Sequence, residues 1–158
     1  MKVSSGPVLD RIDVKIVRAL QADGRLTNAE LANRVNVSAA TCHRRTQRLF
    51  DEGHILGVRA EIAPASVGLG ALVMVGVVLD RSTPESFTEF EAAVLEIKEV
   101  LDCNLVAGDF DYLLKIRVRD IADFNKLHGQ LLIALPGVRQ TRTFFVMKEV
   151  KESARLSF

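Results

Sequence analysis

The sequence predicts an α+β protein built from two unlike parts, a helical first portion and a later β-α-β-β-α-β unit. Three observations carry this reading. From Leu9 to Leu49 apolar residues recur at spacings of three and four, the signature of helices with one buried face. From Ala71 onward, valine-rich and alternating stretches mark strands interleaved with two further helices. Between them PASVGLG, residues 64–70, has the proline, glycines and small side chains of a linker. The expected domains are therefore 1–63 and 71–158, joined by 64–70.

The elements follow in order. Leu9, Ile12, Ile16, Ala19 and Leu20 share one face of a helix over 9–22, and Gly24 is the expected C-terminal cap. Thr27 and Glu30 form a capping box at the start of a second helix carrying Leu31, Ala32 and Val35. After a tight Asn36-Val37 turn, Ser38 caps a third helix running to about Asp51, closed by Gly53. Ile55, Val58, Ala60 and Ile62 then suggest a short strand or hairpin. In the second part, residues 71–79 (ALVMVGVVL) read as a strand buried on both faces. Thr83-Pro84 opens a helix with Phe87, Phe90, Val94 and Ile97 on its apolar side. Strands over 100–107 and 112–119 flank a Gly108–Asp111 turn. Asp120 caps the last helix, which Pro136-Gly137 ends, and a final strand spans 138–150.

Composition narrows the function. The 158 residues are 48% hydrophobic and 26% charged, enough for a packed core and an ordinary hydrated surface. The longest apolar stretch, Gly70 to Leu79, is about half of what a membrane-spanning helix needs. The opening MKVSSGPVLDRID lacks the apolar run of a secretory signal, and two distant cysteines cannot frame a disulfide network or a zinc site. The expectation is a reduced, cytoplasmic protein without a membrane partner. The net charge of +1 conceals an asymmetry: residues 1–63 hold 10 Lys+Arg against 7 Asp+Glu, whereas 64–158 hold 11 against 13. Within 25–48 five arginines face one acid, the electrostatic footprint of a polyanion binder.

Three helices in about fifty residues, the last two joined by a few residues, outline a helix-turn-helix, whose second helix enters the major groove of DNA. On the third helix Cys42, Thr46 and Leu49 face the core by spacing. That leaves Thr41, His43, Arg44, Gln47 and Arg48 outward, where arginine can grip guanine or phosphate and glutamine can read adenine. Two helices cover only one face of a four-stranded sheet, so the doubly apolar first strand predicts a second copy on the other face and a two-fold dimer.

Three segments in register then point to a family. LDRIDVKIVRALQADGRLTNAELANRVNVS (9–38), GDFDYLLK (108–115) and LPGVRQTRTFFVMKEVK (135–151) resemble the Lrp/AsnC, or feast/famine, transcription regulators, nearest their leucine-responsive branch. The resemblance spans nearly the whole chain without a large insertion. It implies a winged helix-turn-helix joined to a ferredoxin-like βαββαβ regulatory domain (RAM/ACT-like). It further implies homodimers that assemble further, often to octamers, and a small effector, usually an amino acid, bound where dimers meet. The implied function is sequence-specific binding of double-stranded DNA and regulation of amino-acid metabolism genes. Carried over by position, 28–47 becomes the helix-turn-helix and 38–51 the reading helix, adding Ser38 and Arg45 to the DNA-binding candidates.

The effector region implied by the resemblance comprises Gly108, Asp109, Phe110, Asp111 and Tyr112 with Pro136, Gly137, Val138, Thr141 and Thr143. Leu105, Ile133 and Phe144 lie nearby as side-chain lining. Physically, Asp109 or Asp111 can pair with an ammonium, and turn N–H groups at Gly108 or Gly137 can hold a carboxylate. Leucine, or another apolar amino acid such as proline or methionine, is the expected effector, with no cofactor and no metal. Thr46 stands where relatives often carry Val or Ile, which weakens the third helix's packing. Phe144 and Phe145 depart from the family's usual Tyr and Val. An enzyme is the poorer reading: His43, His54 and His128 are scattered, and no nucleophile, phosphate loop or metal spacing accompanies Asp109 and Asp111. An architectural protein that wraps DNA with little sequence preference is the remaining alternative.

Overall fold

A computed structural model describes residues 9–152 and 155–158. Residues 1–8, the start of the expected first domain, lie outside the described residues, as do 153–154. The described residues form two compact units, one of residues 9–61 with 155–158 and one of Ile62–Glu152. The last four described residues thus belong with the helical unit, not with the sheet where the sequence placed them.

In the helical unit, α1 spans Arg11–Ala22, α2 Asn28–Val35 and α3 Ala39–Asp51. Asp10 caps α1 by accepting from the Ile12 and Asp13 N–H groups at 2.9 and 2.8 Å. Thr27 and Glu30 make the expected reciprocal box at α2, at 3.2 and 2.8 Å. Asn36 ends α2 in the left-handed region (φ 59°), which asparagine tolerates better than most residues. Ser38 then starts α3 by accepting from the Thr41 N–H. Ile16, Leu31, Ala32, Val35, Cys42 and Leu49 close a core between the three helices.

Two expectations differ here. Gly24 does not adopt a left-handed cap conformation; α1 ends on extended Asp23, and a Cβ at Gly24 would lie 2.7 Å from Val58 Cγ1, so a side chain there would displace the exposed Val58. Residues 56–63 form no strand, because their alternating pattern has no strand beside it in this chain; Leu56 and Ile62 stay exposed.

The second unit follows the expected order. After a 3-10 turn at Pro64–Val67, β1 spans Ala71–Leu79, α4 Pro84–Val94, β2 Val100–Leu105, β3 Tyr112–Val118, α5 Ile121–Leu127 and β4 Val138–Phe145. A π-helical turn, His128–Leu132, continues α5. The antiparallel sheet has the order β2-β3-β1-β4. Val73, Val75, Val77, Tyr112, Leu114 and Ile116 point to one face and pack beneath Phe90 and Val94 of α4 and Phe124 and Leu127 of α5. The opposite face carries Leu72, Met74 and Val78, each half-buried. β4 stops at Phe145, short of the expected Val150. The chain beyond it turns acidic side chains over that face, where Glu149 and Glu152 bind Arg117, and Glu152 also binds Lys115 at 2.9 Å.

Candidate functional site

The helix-turn-helix is held at the angle its caps dictate. The Asn28 side chain, at the start of α2, donates to the Ala39 carbonyl at the start of α3 at 2.9 Å. Of the candidate DNA-contacting residues, Ser38, His43, Arg44 and Gln47 are exposed and Thr41 is half-buried. Ser38 and Thr41 are linked by their hydroxyls at 3.0 Å, while Gln47 donates to Asp51. His43 and Gln47 line a cleft of about 230 Å³ with Leu31, Phe50 and Val58.

Arg45 and Arg48 sit differently. Arg45 Nη1 binds Asp10 at 2.6 Å and Asp13 at 2.9 Å; Arg48 Nη2 binds Asp13 at 2.6 Å and Nη1 binds Glu52 at 2.9 Å. Both arginines point back to the first turn of α1. The reason is periodicity: Arg45 flanks Cys42 and Leu49 on the α1 side of the helix, and Asp13 lies on α1's buried face beside Ile16. Burial alone would push the Asp13 carboxyl up, but hydrogen bonds from Arg48 and Arg45 hold it below the ordinary carboxylate range. The Asp13 N–H and then Arg45 hold Asp10 down in the same way. Sequence reasoning missed these two acids. The signal was an aspartate on the apolar stripe of α1, where an unpaired charge does not survive burial.

The effector candidates divide into groups. The end of β1 joins two turns: the Leu79 N–H donates to Asp111 Oδ2 at 2.7 Å, and the Asp80 N–H donates to the Gly137 carbonyl at 2.7 Å. Asp111, Gly137 and Val138 are thus brought together across Leu79 and Asp80, with Gly108 and Gly137 both at positive φ. On the face away from the helices, the Phe110 ring lies over Gly76 and meets Phe144 edge-on at 6.3 Å, with Arg142 6.0 Å from its centroid. Thr141 faces the other way and bonds His128 at 2.9 Å; Thr143 shares that side. Tyr112 is 1% exposed and its hydroxyl donates to Glu91 at 2.7 Å, so it is a core residue. Burial, then Glu91, raises its pKa and keeps it neutral. Leu105 and Ile133 are exposed, as are Asp109 and Gly108, while Pro136 is half-buried.

Among the described residues no three His, Cys, Asp or Glu side chains group as a metal site, and no helix is long and apolar enough to cross a membrane. Cys42 is buried; burial and then Glu91 push the Cys103 thiol up, away from its reactive form.

Residues 9–49 match the AsnC-type helix-turn-helix domain, and residues 72–156 match the Lrp/AsnC ligand binding domain. The chain is 47% identical over 155 residues to the leucine-responsive regulatory protein of Salmonella typhimurium, covering 98% of this chain and 94% of that protein. It is 46% identical, with the same coverage, to the Escherichia coli K12 protein of that name. Among solved structures, a Neisseria meningitidis transcriptional regulator in complex with L-Met superposes with a TM-score of 0.87 at 36% identity, covering 94% of this chain and 96% of that one. An AsnC family regulator from Agrobacterium tumefaciens gives 0.87 at 33%, over 94% and 97%. With both halves matched in order, and relatives this similar over almost its full length, the chain belongs to the Lrp/AsnC family of transcriptional regulators.

Proposed function

We propose that α3 reads operator DNA and that a free amino acid with an apolar side chain, bound in the βαββαβ unit, changes that binding. The observation that carries the first half is the outward surface of α3. Ser38, His43, Arg44 and Gln47 stand exposed on a capped helix-turn-helix, and Arg44 has no ion pair among the described residues. A free guanidinium on the amino-terminal half of a reading helix suits guanine or phosphate. The effector's ammonium is matched to Asp111, whose Oδ1 carries, among the described residues, a single 3.5 Å contact from Ser82, and its carboxylate to the turn at Gly137. Phe110 and Phe144 supply apolar surface beside it.

Relatives called leucine-responsive, and one crystallised with L-Met, support an apolar amino acid rather than a charged one. The half-buried Leu72, Met74 and Val78 support a second copy on the open face, giving a dimer that assembles further. The protein acts in the cytoplasm by binding and not by turnover.

The test uses duplexes selected from a random library by the full-length protein, titrated with each of the twenty amino acids while fluorescence anisotropy is followed. Salt-dependent binding that one or a few apolar amino acids shift supports the proposal. No binding at low salt, or no response to any amino acid, overturns its first or second half respectively.

A further inference from the structure

The sequence places five arginines in one short window, yet the structure neutralises two of them. We propose that Asp13 determines DNA specificity from behind α3, by withholding Arg45 and Arg48 from the duplex so that Arg44, His43 and Gln47 do the reading. Asp13 is a positioning residue, since it reaches DNA only through the two arginines. The inference rests on the reading of α3 as the duplex-facing helix.

The geometry is specific. The Asp13 side chain is 4% exposed, and each of its oxygens takes one guanidinium, Arg45 at 2.9 Å and Arg48 at 2.6 Å. Each arginine also has a second acid, Asp10 for Arg45 and Glu52 for Arg48. Three carboxylates therefore surround two guanidiniums, so this flank of α3 is not cationic. Burial works against the Asp13 charge, yet the arginines hold it ionised far below neutrality, so the clamp is a charged one at working pH.

The consequence concerns the balance between two kinds of contact. Phosphate contacts add affinity for every sequence, and each neutralised phosphate steepens the salt dependence by about 0.9. Base contacts discriminate. An arginine already committed to a buried carboxylate must break charge-assisted bonds before it reaches phosphate. The clamp therefore removes sequence-independent attraction and leaves base reading as the larger share. A charged clamp serves this end where an apolar α1–α3 contact would stabilise equally well, because replacing a buried ion pair by packed apolar groups is often neutral or stabilising.

The experiment compares full-length wild type, Asp13→Asn, Arg48→Ala and Arg44→Ala on a selected duplex and a scrambled one of equal composition, from low to high salt. Asp13→Asn leaves Arg48 only its surface i,i+4 partner Glu52, a weak pair that phosphate displaces, so the slope on scrambled DNA steepens by about 0.9 and the preference for the selected duplex falls. A role in folding alone would weaken both duplexes together and leave the slope as it was. A folded Asp13→Asn protein with wild-type slope and preference overturns the proposal. Should Asp13→Asn fail to fold, Arg48→Ala decides: a wild-type slope supports withholding, and a slope flatter by about 0.9 shows Arg48 already on phosphate and overturns it. Arg44→Ala tests the underlying reading separately, since unchanged affinity, slope and preference there remove α3 from the duplex altogether.

Discussion

Single residues show how little chemistry the fold leaves unassigned. Thr46 lies on the inner side of α3 with its hydroxyl oxygen buried and without a hydrogen-bond partner among the described residues. Leaving such a group unpaired costs about 1–3 kcal/mol, and valine has nearly the same shape without the hydroxyl. Thr46→Val is expected to stabilise the protein by about 1 kcal/mol, read as a higher denaturant midpoint with an unchanged m-value. Asp111 carries two duties, capping the Leu79 N–H through Oδ2 and presenting Oδ1 to the proposed ammonium. Asp111→Asn keeps an acceptor for Leu79 while removing the charge. Melting temperature and DNA affinity should stay near wild type while the amino-acid response disappears, and an undiminished response would move the effector site elsewhere.

At the scale of elements, helices and strands are placed by a few obligatory contacts. β1 crosses beneath Phe110 at Gly76, where a Cβ would come within 2.6 Å of the ring. Gly76→Ala must therefore displace Phe110 and its edge-on contact with Phe144. Overpacking of this kind costs about 1–3 kcal/mol, which equilibrium unfolding in urea would measure. The element boundaries were readable where a side chain marks them: Thr27, Ser38, Thr83 and Asp120 each cap the helix that follows. They were misread where no such marker exists. Residues 56–63 alternate like a strand, but a strand is a relation between two segments and periodicity names only one. β4 likewise looked longer than it is, because the charged Lys148–Glu152 stretch leaves the ladder to meet Lys115 and Arg117.

At the scale of the whole molecule, both units hold ionised carboxylates against arginine or lysine. Asp13 is depressed below its ordinary value of 3.8 by Arg48 and Arg45 acting against burial. Glu152 is pushed down to about 2 by Lys115, then Glu149 and Arg117. A carboxyl whose folded pKa lies below its unfolded one stabilises fully above the unfolded value, and the contribution fades as pH falls toward the folded value. Thermal stability is expected to be flat near neutrality and to fall from about pH 4 toward pH 2. Asp13→Asn should shrink the part of that fall that circular dichroism assigns to helix, whereas an identical acid profile would mean the clamp is already lost at neutral pH. Linkage sets a second expectation: an amino acid that weakens operator binding must itself bind less tightly when operator is present, by the same factor. Calorimetric titration with and without the duplex checks the equality.

The sequence by itself determined the order of helices and strands, their caps, the buried stripes and the helix-turn-helix, because these depend on spacings within one segment. The resemblance to the Lrp/AsnC family, rather than any spacing, singled out the two turns, Gly108–Asp111 and Pro136–Gly137, as candidates for the effector. Only the tertiary structure decided which charges remain available and which face each β4 residue serves. Arg44 and Arg48 look equivalent along the third helix, yet Asp13 lies more than thirty positions away and claims Arg48 together with Arg45. Thr141 and Phe144 are near neighbours in sequence, yet one bonds His128 on the helix-covered face and the other meets Phe110 on the opposite face. Pairing of charges and allocation of sheet faces are long-range outcomes of packing, and a pattern read along one segment carries no information about the partner that arrives from another.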